Sequence, residues 1–98
     1  MKARIRPEAE EELEAAFHHY ESKRAGLGIE MLDEFRRSVE KILQHPNAWR
    51  LLEGPYRSHR LRRFPYGIVY KVVEGTNEIL ILAVHHSSRK PGAWRGRV

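Results

Sequence analysis

Ile68-Val69-Tyr70-Lys71-Val72-Val73-Glu74-Gly75-Thr76-Asn77-Glu78-Ile79-Leu80-Ile81-Leu82-Ala83-Val84 decides the fold. Ile68, Tyr70 and Val72 recur at a period of two and share one strand face, with Val69, Lys71 and Val73 on the other. Glu74-Gly75-Thr76-Asn77 has the residue types of a reversing turn, so strands over about 67–73 and 78–85 form a hairpin. Every residue from Ile79 to Val84 is apolar, which places the last strand centrally in the sheet with both faces covered. The period of two begins at Tyr56, adding a strand over about 56–63.

Upstream the period changes. Ala9, Leu13, Ala16, Phe17 and Tyr20 form one stripe, predicting a helix from about 8 to 24. Pro7 suits its first turn, and Glu8, Glu10, Glu11 and Glu12 sit near the positive end of its dipole. After Gly26-Leu27-Gly28, the residues Met31, Leu32, Phe35, Val39, Ile42 and Leu43 mark a second helix over about 28–44. So short a connection makes the helices antiparallel neighbours. Lys2-Ala3-Arg4-Ile5-Arg6 alternates as a short strand, and residues 45–55 read as an irregular segment pinned to the core by Trp49, Leu51 and Leu52. The order is β-α-α-β-β-β: an α+β fold with a helical hairpin packed on a mostly antiparallel four-stranded sheet.

Ninety-eight residues bound the chain to one domain, 1–98. The sequence holds no apolar run near the roughly 18 residues that span a bilayer and no apolar N-terminal leader, so it reads as cytoplasmic, with no membrane partner. With no cysteine, disulfides, thiolate metal sites and sulfur nucleophiles are excluded. Charge is segregated. Residues 1–49 carry eight Lys/Arg and ten Asp/Glu, net −2; residues 50–98 carry ten and three, net +7; together they give +5. A basic half draws anionic partners, either nucleic acid or an acidic protein segment.

Two C-terminal stretches carry the chemistry. Arg57-Ser58-His59-Arg60-Leu61-Arg62-Arg63-Phe64-Pro65-Tyr66-Gly67-Ile68-Val69-Tyr70 is an arginine-rich strand leading through Phe-Pro-Tyr into another strand. Ala83-Val84-His85-His86-Ser87-Ser88-Arg89-Lys90-Pro91-Gly92-Ala93-Trp94-Arg95-Gly96-Arg97 is a strand followed by histidines and a basic tail. Arg60 and Arg62, two apart, are expected on one face, where they suit a phosphate clamp or an exposed basic strand equally. Imidazole exchanges protons near neutral pH, but adjacent strand residues face opposite sides, so only one of His85 and His86 reaches a shared site. His18-His19 lacks the i,i+4 spacing of a helical metal pair and reads as structural. No metal constellation or cofactor motif appears in the sequence.

In order and spacing, these stretches and the preceding helical pair resemble the RelE/ParE toxin superfamily over almost the whole chain. The resemblance implies a type II toxin–antitoxin component neutralised by a co-expressed acidic antitoxin, with operator DNA engaged only through that complex. In ribonuclease members, RNA is cut without a metal by Arg, Lys, Tyr, His or Glu side chains, and the comparable residues here are His85, His86, Arg60, Arg62 and Arg89. Ribosome-dependent members commonly carry an arginine where this chain has Gly67, and often a catalytic tyrosine where it has Trp94. Both departures count against RelE-like cleavage, and the Phe64-Pro65-Tyr66 and His86-Ser87-Ser88-Arg89-Lys90-Pro91-Gly92-Ala93-Trp94-Arg95 signatures resemble the ParE-like, plasmid-stabilisation branch, whose studied members inhibit DNA gyrase. On that reading Arg89, Lys90, Trp94, Arg95 and Arg97 recognise the target. The alternatives are an endoribonuclease acting on mRNA at the ribosome and a degenerate toxin that only binds its antitoxin.

Overall fold

The computed structural model describes residues 1–90 and 92–97; Pro91, assigned above to the basic tail, and Val98 lie outside the described residues. The elements are β1 (Lys2–Ile5), α1 (Pro7–Lys23), α2 (Leu27–Gln44), β2 (Arg50–Glu53), β3 (Tyr56–Arg60), β4 (Tyr66–Val73) and β5 (Glu78–His86), followed by a 3-10 turn at Arg95–Arg97. The sheet runs β1-β5-β4-β3-β2, with β1 parallel to β5 and the other pairs antiparallel. The α+β class holds, with a fifth strand where four were expected. The extra strand comes from the segment read as irregular, because Arg50 and Leu51 pair with Ser58 and Arg57 across the Gly54-Pro55 turn. Leu51 and Leu52 do not pin this segment: they are 54% and 37% exposed on the sheet edge. Trp49 is the residue that packs on the core, while the Tyr70 hydroxyl donates to the Pro46 carbonyl (2.6 Å) and Arg57 to the Trp49 carbonyl (2.9 Å).

Both helices cover one sheet face. Ala9, Ala16, Met31, Phe35 and Ile42 meet Ile68, Tyr70, Ile79, Ile81 and Val84 in the main core. The interhelical crossing depends on Gly28, where a Cβ would stand 2.7 Å from the Phe17 carbonyl oxygen and 2.7 Å from Glu21 Cγ. Glu21 then caps the second helix from the end of the first, accepting the Gly28 N–H at 2.8 Å and the Gly26 N–H at 3.2 Å. Those donors are the unpaired N–H groups that every helix start leaves. Gly28→Ala is expected to push the helices apart and cost about 1–3 kcal/mol, read as a lower urea midpoint with unchanged slope.

β5 carries a bulge. Ile81 lies opposite Tyr70 and Ala83 opposite Val69, leaving Leu82 as the extra residue. The alternation is reset there, so Val84 joins Ile79 and Ile81 on the helical face and Ala83 points to the other. β5 also runs beyond the end of β1, which stops opposite Ile81. Glu12 closes this free edge: it accepts the Val84 N–H at 3.1 Å and pairs with Arg97 at 2.8 and 3.0 Å, while Arg97 donates to the Leu82 carbonyl. Of the glutamates read as helix-start charges, Glu12 therefore does more than complement the dipole.

His59, on the helical face of β3, is 7% exposed, with its ring edge-on to Trp49 at 4.2 Å. Burial first, and Lys41 second, hold its imidazole below the ordinary value. The folded chain thus keeps His59 neutral, whereas the unfolded chain takes up a proton as pH falls through about 6.5. Stability is expected to be fully retained above that pH and to decline below it until the depressed folded value is passed. Urea midpoints between about pH 7.5 and about pH 5.5 should fall less steeply in a His59→Phe variant. Among the described residues no helix is long and apolar enough to cross a membrane.

Candidate functional site

The sheet face away from the helices is built from Tyr56, Ser58 and Arg60 on β3, Gly67 and Val69 on β4, and Ala83 and His85 on β5. Register aligns them in rows: Arg60 stands opposite Gly67 and Gly67 opposite His85, while Ser58, Val69 and Ala83 form the next row. A side chain at Gly67 would crowd this surface, since its Cβ would come 2.9 Å from Ser58 Oγ. Glycine leaves a floor between Arg60 and His85 instead.

The tail builds a wall beside that floor. Ser87 N–H donates to the Pro65 carbonyl (2.8 Å), turning the chain back at the end of β5. Trp94 then folds under the sheet, 4% exposed, its ring 4.8 Å from Tyr56 and packed with Val69 and Ala83. Arg95 reaches across to an ion pair with Glu53 on β2. Between the tail and β2 lies a cleft of about 400 Å³, lined by Arg50, Ser58, Arg60, Gly67, His85, Ser87 and Arg89 as well as the two walls. Most arginines are engaged: Arg4, Arg6, Arg24, Arg36, Arg63, Arg95 and Arg97 pair with carboxylates, Arg24 and Arg63 sharing Glu30, and Arg57 donates to a carbonyl. The side chains of Arg37, Arg50, Arg60, Arg62 and Arg89 have no such partner among the described residues, and three of those five line this cleft.

His86 faces the other way, as expected for a neighbour of His85. It lines a separate recess of about 540 Å³ beside the first helix, with Tyr66, His19, Glu8 and Glu11. The Ser88 N–H donates to its Nδ1 at 3.0 Å, which leaves the neutral ring's proton on Nε2. Tyr20 and Tyr66 stand nearby with ring centroids 6.2 Å apart, and burial raises both phenols above their ordinary value. The two recesses share Arg89.

The structure brings Arg60, His85 and Arg89 together in one cleft, places His86 in the other recess, where it meets Arg89 alone of the three, and leaves Arg62 in neither. Arg62 does not share a face with Arg60, because β3 ends at Arg60 and the chain bends through residues 61–65. Leu61 enters the core there, and the buried Glu34 carboxylate accepts the backbone N–H groups of Arg62 and Arg63. Of the tail residues assigned to target recognition, Arg89 and Lys90 are exposed, whereas Trp94 is core and Arg95 and Arg97 are ion-paired anchors. The sequence reading missed Arg50, Ser58 and Ser87. Arg50 lay in the supposed irregular segment, but Ser58 shares the parity of Arg60 and was legible by alternation.

A helical hairpin on one side of the sheet and a basic cleft on the other define a RelE/ParE-type toxin domain. The family model for the ParE toxin of the type II toxin–antitoxin system parDE matches residues 3–91, and the chain belongs to that family. Among solved structures it is similar to a chain of the chromosomal ParDE toxin–antitoxin system from P. aeruginosa, at 26% identity and a TM-score of 0.76, over 88% of this chain and 95% of that one. No curated protein gives a significant match.

Proposed function

We propose that this toxin arrests growth as a non-catalytic inhibitor of DNA gyrase and is neutralised by a co-expressed acidic antitoxin. The observation that carries the first half is the burial of Trp94. Where RNA-cleaving relatives often place a tyrosine that exchanges a proton, this chain has an indole that is 4% exposed and supports the sheet. Gly67, in turn, offers no side chain to a phosphate at the position of the relatives' arginine. The antitoxin half is supported by the family, by the toxin–antitoxin system to which the P. aeruginosa relative belongs and by the net +7 of residues 50–98 (ten basic minus three acidic). One observation favours the ribonuclease alternative: Arg60 and His85 flank the same floor, with Arg89 beside them.

Growth arrest by His85→Ala and His86→Ala chains, with gyrase supercoiling and mRNA-end mapping on the parent, tests the reading. Supercoiling is expected to be inhibited, mRNA ends to stay intact, and both histidine variants to retain substantial toxicity. A folded histidine variant that loses activity by about 10²–10⁴-fold, together with cut mRNA and normal supercoiling, overturns it in favour of the ribonuclease. Absence of any arrest by the parent chain leaves only an antitoxin-binding role.

A further inference from the structure

We propose that His59 is an acid-operated latch on β2: protonation of its ring releases Trp49 and the strand that follows it as one local unit, while the rest of the sheet stays paired. β2 pairs with β3 alone, all four of its residues are exposed, and its register slips between Leu51 and Glu53. So little burial leaves the strand to be held from its two ends. Arg50 stands opposite Ser58, and continuing that register sets Trp49 opposite His59, where the two rings meet edge-on. Trp49 thus fixes the start of β2 to the core, and Glu53 ties its end to Arg95.

The two rings leave a donor and an acceptor unmatched. Trp49 Nε1 and His59 Nδ1 are both buried, and neither has a hydrogen-bond partner among the described residues. In a neutral ring protonated on Nε2, Nδ1 is an acceptor, so a small shift of either ring, or one water, satisfies the indole N–H and the imidazole together. Protonation turns Nδ1 into a second donor. Two buried donors and a charge then share a pocket that holds no acceptor for them, which is the costly arrangement. The groups around the ring do not relieve it. On α2, Lys41 adds a like charge, and the Glu34 carboxylate, whose charge also reaches the ring, already accepts the Arg62 and Arg63 N–H groups. On β3, Arg57 is a further cation two residues away, committed to the Trp49 carbonyl, and the His59 carbonyl acts on the ring without reaching hydrogen-bond geometry. On β4, Ile68 lies opposite and the Tyr70 hydroxyl donates to Pro46.

Lifting Trp49 away is the least costly route by which water reaches the charged ring, because no strand lies beyond β2 to be broken. The latch is closed above the ordinary imidazole value of about 6.5 and loosens as pH falls below it, since the open form takes up the proton that the closed form excludes. Opening displaces Arg50, Leu52 and Glu53, so acid dismantles the outer wall of the open-face cleft. This coupling does not rest on the gyrase reading.

Amide hydrogen exchange on the whole chain, corrected for intrinsic rates, tests it. Amides shared by β2 and β3 are expected to be less protected than those shared by β4 and β5, and to keep their exchange rate in low urea, as a small local opening does. They should still lose about three- to tenfold in protection between about pH 7.5 and about pH 5.5, above the range where carboxylates titrate. That loss should vanish in His59→Phe and persist in His45→Asn, which changes an exposed histidine at the end of α2. Should His59→Phe not fold, Lys41→Gln provides the test: without the like charge the folded ring titrates closer to its unfolded value, and the loss should shrink. Protection in β2 that does not change with pH, exchange of β2 only through urea-sensitive global unfolding, or a loss that survives in His59→Phe would each overturn the latch.

Discussion

Trp94→Ala is expected to cost about 3–5 kcal/mol, the usual range for emptying a large buried aromatic site. The indole is 4% exposed and fills the space between the tail and the open sheet face, against Tyr56, Val69 and Ala83. Its removal also frees the tail that carries Arg95 to Glu53, so one wall of the basic cleft is lost with it. Urea denaturation gives the stability change, and Trp94→Phe separates it from any direct part in recognition. The phenylalanine variant keeps most of the packing and should keep both stability and growth arrest. A Trp94→Ala chain as stable as the parent but without toxicity would show that the ring acts on a partner, and the structural role given to it here would be wrong.

The second large effect is expected at Glu34. Its carboxylate is 7% exposed and accepts the N–H groups of Arg62 and Arg63 from the bend between β3 and β4. Glu34→Ala leaves those two donors without their partner, at about 1–3 kcal/mol for each that stays dry. For a chain of this size each kcal/mol lowers the melting temperature by about 4–8 °C, so a loss well above 4 °C is expected by calorimetry. Because this bend sets where β4 begins, and so where Gly67 falls against Arg60, growth arrest should weaken alongside stability. A melting temperature within about 2 °C of the parent's would contradict the role assigned to this carboxylate.

Much of the fold was legible because it follows from local period. The stripes from Ala9 to Tyr20 and from Met31 to Leu43, the change to a period of two after Tyr56 and the Glu74–Asn77 turn each depend on neighbours within a few residues. The opposed directions of His85 and His86 follow from the same alternation. Alternation failed where tertiary contacts interrupt it. It continued β3 to about residue 63, but Leu61 is drawn into the core and Glu34, 28 positions from Arg62 in sequence, holds the bend that follows. It gave no sign of the Leu82 bulge, since an all-apolar run looks the same in either register.

Charge shows the same division. The sequence by itself determined that the basic residues collect in the second half, and with them the family. Which of those cations remain available was decided only by the tertiary structure, because an ion pair depends on distance in space and not along the chain. Arg97 meets Glu12 from 85 positions away and Arg95 meets Glu53 from 42, and both become anchors. Arg50, Arg60 and Arg89 come from three separate segments, and they form one cleft because the sheet order sets β2, β3 and the end of β5 around a glycine floor.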